Sequence, residues 1–218
     1  MGDVYYTILQ EGRDEFTISR SRFICRSAPV STEEEALTYI DRIRKEHWDA
    51  NHNVWAYVLG SQKERYSDDG EPKGTAGIPA LEVIRKEGLR DALVVVTRYF
   101  GGIKLGAGGL TRAYAQGAKI ALQAGKIIER RPFSLCSVTV EYALAGRLKR
   151  EFSSRNYILK DTIYLDQVTL IVLVPPEQQE PLNAIVAEVT AGKGVLAAKG
   201  EEYLDFWQEG TQVLAIDN

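Results

Sequence analysis

The segment Ala92 to Arg112 restricts the fold more than any other part of the chain. It opens with ALVVVT, residues 92–97, an unbroken apolar run rich in β-branched side chains and bounded by turn signals. That is the pattern of a buried central strand. The run passes into RYFGGIKLGAGGLTR, residues 98–112, where Gly101, Gly102, Gly106, Gly108 and Gly109 place five glycines in nine positions. Leu110–Gln123 then reads as an Ala-rich helix closed by Gly125. Glycine permits positive φ and close backbone approach. A loop of this kind between a buried strand and a helix start can turn several N–H groups in one direction, and with the helix dipole it forms an anion site. Arg98, Lys104 and Arg112 would add charge-assisted contacts, with Tyr99 and Thr111 on the same stretch. The plainer alternative is that the glycines serve a tight turn and close helix packing. The spacing departs from both common phosphate fingerprints. Ala107 stands where a P-loop needs Lys, and Gly106 and Gly108 lack the third glycine of G-x-G-x-x-G.

Around this segment the pattern is α+β. Glu15–Val30 alternates and reads as one or two strands, and Thr32–His47 as a helix with Ser31-Thr32 at its cap and three acids in its first turn. Asn53–Leu59 is a strand, and Gln62–Lys73 is a polar, turn-rich stretch with room for one short strand. Thr75–Glu87 is a helix ended by Gly88. Arg130-Arg131-Pro132 marks the expected boundary between a domain at 1–132 and another at 133–218. Beyond it, Leu135–Tyr142, Ala143–Ser154, Tyr157–Leu165, Gln167–Val174, Pro176–Val189 and Val195–Phe206 read in the order βαββαβ, a ferredoxin-like arrangement. The tail after Trp207 carries no packing pattern.

Charge is uneven. The whole chain of 218 residues has a net charge of −3, yet residues 98–131 hold seven basic residues against the single acid Glu129. This is a local basic field inside an acidic protein. Tyr66, Tyr99, Phe100 and Tyr114 lie in or near these polar segments, where single-stranded RNA could stack on them, and Tyr99 and Phe100 can equally end a strand and pack inward. The acidic start MGDVYYTILQEGRDEF and the shortness of every apolar run give no leader or membrane helix, so a cytoplasmic location is expected. Cys25 and Cys136 have no CxxC partner and read as small buried hydrophobes, and no cofactor or metal is expected.

A second constellation is Ser67-Asp68-Asp69-Gly70-Glu71-Pro72, three carboxylates in four residues, with Asn51-His52-Asn53 upstream. His52, Asp68, Asp69 and Glu71 can be acid/base or metal groups if they meet. An Asp-Asp-Gly turn is equally a solvated turn.

Four motifs together resemble the IMPACT/YigZ family: His52-Asn-Val-Trp-Ala-Tyr, Ser67-Asp-Asp-Gly-Glu-Pro, Gly74-Thr-Ala-Gly-Ile-Pro, and Arg98 through Tyr114. Val54 departs from the Cys that the family often carries there. The resemblance implies an N-terminal α+β domain of two layers, similar to the second domain of ribosomal protein S-five. It also implies a C-terminal domain similar to domain five of elongation factor G. Eukaryotic relatives regulate translation initiation. The resulting expectation is a non-enzymatic binding protein, RNA- or ribosome-associated and linked to regulation of translation. No membrane partner and no DNA sequence specificity are expected. The alternative is a hydrolase or transferase acting on a small phosphorylated or peptidic substrate through His52, Asp68, Asp69 and Glu71. A third is a protein–protein module using the acidic C-terminal domain.

Overall fold

The apolar run lies at the centre of a five-stranded antiparallel sheet in the computed structural model, which describes residues 2–207. Strand β6 (Ala92–Tyr99) is flanked by β3 (Ser21–Pro29) and β4 (His52–Leu59), with β2 (Gly12–Ile18) and β5 (Lys63–Ser67) at the edges. Ala92 to Val96 are all fully buried, because helices cover both faces. Helices α2 (Gly77–Lys86) and α3 (Gly106–Ala124) pack on the face that carries Val54, Ala56, Val94 and Val96. Helix α1 (Glu33–Glu46) covers Tyr57, Leu59, Leu93 and Val95 on the other. The expected pair of layers is therefore the sheet with α2 and α3, and α1 adds a helix behind it. Strand alternation sorts β6 between them: even-numbered residues face α2 and α3, odd-numbered residues face α1.

Local sequence explains the helices. Thr32 caps α1 by accepting the Glu35 N–H at 3.2 Å, and Glu35 reaches back to the Ser31 N–H at 2.7 Å. Gly117 lets α3 approach the sheet: a Cβ there would sit 3.0 Å from Cys25 Sγ and 3.2 Å from a Val96 methyl. Helix α3 starts at Gly106, one turn before the Leu110 start expected from the sequence, so Gly106, Gly108 and Gly109 are helical and not loop. A short strand, β1 (Tyr5–Ile8), was not expected; its Ile8 is fully buried with the α3 core. Four residues of mixed polarity give no period to read.

The chain divides into two compact units, with main parts Tyr5–Glu129 and Arg130–Leu204. In the second, β7 (Ile127–Val140), α4 (Tyr142–Ser154), β8 (Ile158–Tyr164), β9 (Val168–Val174), α5 (Gln179–Thr190) and β10 (Val195–Trp207) follow the βαββαβ order. The strands lie in the order β10-β7-β9-β8, and Leu148, Phe152, Leu182 and Val186 of the two helices share one core with the sheet. Strand β7 runs unbroken through Arg130-Arg131-Pro132. The residues after Trp207 lie outside those described.

His47, at the end of α1, is nearly buried, and burial holds its imidazole below the ordinary value. The folded pKa is thus lower than the unfolded one, about 6.5. Stabilisation from the neutral ring is present above that value and is lost as pH falls through the folded pKa. Urea unfolding at stepped pH should show stability declining from about pH 6.5 downward, and His47→Gln should flatten that part of the profile. An unchanged profile in the variant would contradict the assignment.

Candidate functional site

Register places the sequence motifs beside one another. His52 of β4 lies opposite Arg98 of β6, and Arg22 of β3 lies opposite Tyr99. Arg98 is an even-numbered residue, so its side chain enters the helix-covered face, where an unpaired charge is costly. It is 4% exposed and donates from Nη1 to Glu71 Oε1 at 2.7 Å. The Tyr114 hydroxyl, on α3, donates to the same oxygen at 2.7 Å. Burial, with Glu71 beside it, pushes the Tyr114 phenol well above its usual range, so it stays protonated as that donor. Arg98 Nη2 donates to Ser21 Oγ at 3.2 Å. Phe23 and Phe100 lie over the guanidinium at 5.5 and 5.3 Å. Arg98 Nε is buried without a hydrogen-bond partner.

The acidic turn wraps this pair from outside. Asp68 accepts the N–H groups of Gly74 (2.8 Å), Ala76 (3.1 Å) and Gly77 (2.8 Å) and thereby caps α2, whose own N-cap residue, Ala76, has no side-chain acceptor. Asp69 accepts the Asn53 N–H at 2.6 Å and Arg44 Nη2 at 2.9 Å. His52 Nδ1 lies 2.8 Å from the Asp69 carbonyl oxygen. That oxygen can only accept, so Nδ1 carries the proton. His52 Nε2 then lies 3.8 Å from Glu71 Oε1. The four residues His52, Asp68, Asp69 and Glu71 are brought together, but Asp68 and Asp69 are engaged in holding backbone and Glu71 in holding Arg98.

A cavity of about 400 Å³ opens beside this cluster. His52, Glu71 and Arg98 form one part of its wall, and Lys104, Gly106 and Ala107 another. Asn51, Pro72, Phe100, Leu105 and Leu110 complete it. Gly106, Ala107 and Gly108 are exposed in the first turn of α3, which has neither an acid nor a side-chain cap. Their N–H groups have no partner one turn earlier in the helix, because none exists there. Lys104 is exposed and forms no ion pair among the described residues. Of the glycines, Gly101 answers to packing: a Cβ there would fall 2.1 Å from the Arg20 carbonyl, in the β2–β3 turn. Gly106 has φ +69° and open space before it.

Several residues read from the sequence lie elsewhere. Tyr99, an odd-numbered β6 residue, projects to the α1 face, where its hydroxyl donates to Asp49 Oδ1 at 3.0 Å beside His47. Gly101, Gly102, Gly108, Gly109, Thr111 and Arg112 flank the cavity in sequence without lining it. Arg112 instead folds back toward Gly108, within 3.6 Å of where a Cβ would stand. Ser21, Asn51 and Tyr114 were not assigned to the site from sequence. Ser21 carries no motif, and only the β3–β6 register brings it to Arg98, 77 residues away.

The N-terminal unit also matches a family model. Residues 19–122 match the Impact N-terminal domain, and residues 138–193 match a domain of unknown function, DUF1949. The IMPACT family member YvyE of Bacillus subtilis is 39% identical over 203 residues, spanning 92% of this chain and 94% of that protein. The chain belongs to the IMPACT family. Another IMPACT family member, YigZ of Escherichia coli, is 34% identical over 83% of this chain and 91% of its own length. Protein IMPACT of Oryctolagus cuniculus shares 34% identity over 41% of this chain and 30% of its own. A crystal structure of a hypothetical protein superposes with a TM-score of 0.59 at 31% identity, covering 91% of this chain and 98% of that one. The cavity of this IMPACT-family chain thus lies wholly within the residues that match the Impact domain. No helix of the described residues is long and apolar enough to cross a membrane.

Breaking the buried pair from one side leaves a charge without its partner. Arg98→Met should cost about 3–5 kcal/mol in urea unfolding, and adding Glu71→Gln should recover part of that loss. A loss below about 1 kcal/mol would show that the pair is not holding the site, since exposed pairs fall in that range. Asp68→Ala should cost about 1–2 kcal/mol by removing the α2 cap.

Proposed function

We propose that this chain is a non-enzymatic binding protein that engages RNA, on or near the ribosome, and contributes to regulation of translation. One observation carries the reading: a cavity whose wall combines Gly106 and Ala107 at an uncapped helix start, Lys104 and an exposed aromatic, Phe100. Backbone N–H groups and Lys suit phosphate oxygens, and an aromatic face suits an unstacked base. The occupied carboxylates support binding over catalysis. Asp68 and Asp69 accept from backbone and Arg44, and Glu71 serves Arg98 and Tyr114, so none is left poised as a general base. Membership of a family with eukaryotic IMPACT proteins supports the link to translation that the sequence motifs suggest.

The test is anisotropy titration of single-stranded RNA and of ribosomes across salt concentration. Binding should weaken steeply with salt, and Lys104→Glu should weaken it and reduce the slope by about one phosphate contact. Absent binding, or binding indifferent to salt, overturns the proposal.

A further inference from the structure

The second unit carries two exposed tyrosines, on helix α4 and at the end of β8, that its own core does not use. Tyr142 and Tyr164 are 55% and 60% exposed, yet neither ring is loose. Their centroids lie 6.3 Å apart, with the planes 29° from parallel. The Tyr142 hydroxyl donates to the Leu165 carbonyl at 2.5 Å, and Lys149 Nζ donates to the Tyr164 hydroxyl at 3.2 Å. Two large rings are thus held in place at the surface, and rings already held lose little side-chain entropy on binding. We propose that this face of α4 takes an unstacked base of single-stranded RNA, held over Gly146 between the Tyr142 ring and the Arg150 guanidinium. The inference rests on the RNA-binding reading above and adds a contact on the second unit.

Gly146 is the second observation. It stands inside α4, where glycine is destabilising relative to alanine. Neither backbone conformation nor packing asks for it. Its φ is not positive, and beyond its chain neighbours and the helix backbone nothing lies within 4 Å of where a Cβ would stand. Gly117 of α3, by contrast, lets a helix approach a sheet. What the missing side chain of Gly146 leaves is a gap. Residues 142, 146 and 150 follow one another along one helix face. A helical side chain leans back over the turn before it, so Arg150 leans toward the gap and nothing from position 146 covers Tyr142. The gap therefore has an aromatic ring at one end and a guanidinium at the other. Bases splayed from a single strand are held by stacking on aromatic rings and on Arg planes.

Charge selects the ligand. Residues 133–218 hold 12 acids and seven basic residues. Helix α4 runs against that balance: Arg147, Lys149 and Arg150 stand with a single acid, Glu151, which is paired with Arg155. Arg147 and Arg150 are exposed and form no ion pair among the described residues. Glu141 and Asp166 adjoin Tyr142 and Leu165 in sequence, at the end of the face away from Arg150. Cations without partners beside a fixed aromatic ring suit a ligand that brings phosphate and base together. An acidic protein segment answers the cations but not the flat gap between ring and guanidinium.

The full chain is titrated by anisotropy with a labelled, unstructured oligoribonucleotide and with its abasic counterpart of equal length, which keeps the phosphates and lacks the bases. Gly146→Leu fills the gap with a better helix former, so its melting temperature should equal or exceed that of the unaltered chain. Its affinity for the oligoribonucleotide should fall about fivefold or more, with little change for the abasic strand. Tyr142→Leu and Arg150→Gln should lose the same preference for bases, and they decide the matter if Gly146→Leu melts lower. Arg147→Gln should lower the salt slope by about one phosphate contact for both strands. Equal losses for the two strands, or no loss in any of the three gap variants, overturn the inference and leave RNA binding intact. If the gap variants weaken binding and Lys104→Glu does not, the inference stands and the cavity is not the RNA site. If poly-glutamate binds the unaltered chain and Gly146→Leu abolishes that binding while RNA affinity is unchanged, the gap belongs to an acidic protein partner and the inference falls. No RNA binding by the unaltered chain overturns both readings.

Discussion

A guanidinium buried on the helix-covered face of a sheet needs a countercharge in the same place, and Arg98 finds it in Glu71. Much of the N-terminal unit is arranged around that requirement. Glu71 sits on a turn, and a turn must be held to deliver a carboxylate accurately. Asp68 fastens it to the start of α2, and the adjacent Asp69 fastens it to β4 and α1. Tyr114 approaches the same carboxylate from α3, and Ser21 holds the guanidinium from β3. A buried pair of this kind contributes little net stability by comparison with an apolar core, but its geometry is unforgiving. It fixes the positions of the strand end, the acidic turn and the helix start that together wall the cavity.

The acidic turn shows how composition can mislead about chemistry. Three carboxylates in four residues have the look of a metal or acid/base cluster. Among the described residues, no group of three His, Cys, Asp or Glu side chains comes together in a way that could hold a metal ion. What the carboxylates do instead is satisfy donors that would otherwise be orphaned: the first N–H groups of a helix whose cap residue is alanine, and an arginine that has left water. Nothing in the string Ser-Asp-Asp-Gly-Glu-Pro distinguishes these duties from catalytic ones, because the partners lie on other elements.

The basic, glycine-rich segment was legible in part. The buried strand, the following helix and the positive local field all follow from local pattern. Tyr99 and Arg98 part company because adjacent residues on a strand point to opposite faces. The glycines turned out to have separate reasons: Gly101 for the close passage over Arg20, Gly117 for helix-to-sheet approach, and Gly106 for a backbone of positive φ at the helix start. A loop of donors became a helix terminus with free donors, which concentrates them and gives them a dipole. Phe100 and Asn51, which the sequence offered only as an aromatic near the basic field and a neighbour of His52, joined the wall of the cavity, and Ala107 joined it with no functional marker at all.

By itself the sequence determined the α+β class, the βαββαβ order of the second unit, the family, and the segments from which a site could be made. Each rests on information that is local: periodicity, turn chemistry, or a motif read along the chain. Tertiary structure alone decided which of the marked residues share a cavity, which carboxylates are free, and that Ser21 and Tyr114 belong with Arg98. Those outcomes depend on strand register and on which face of a strand a side chain leaves from. Register is set by the fit of whole strands to one another, so it appears in no single motif.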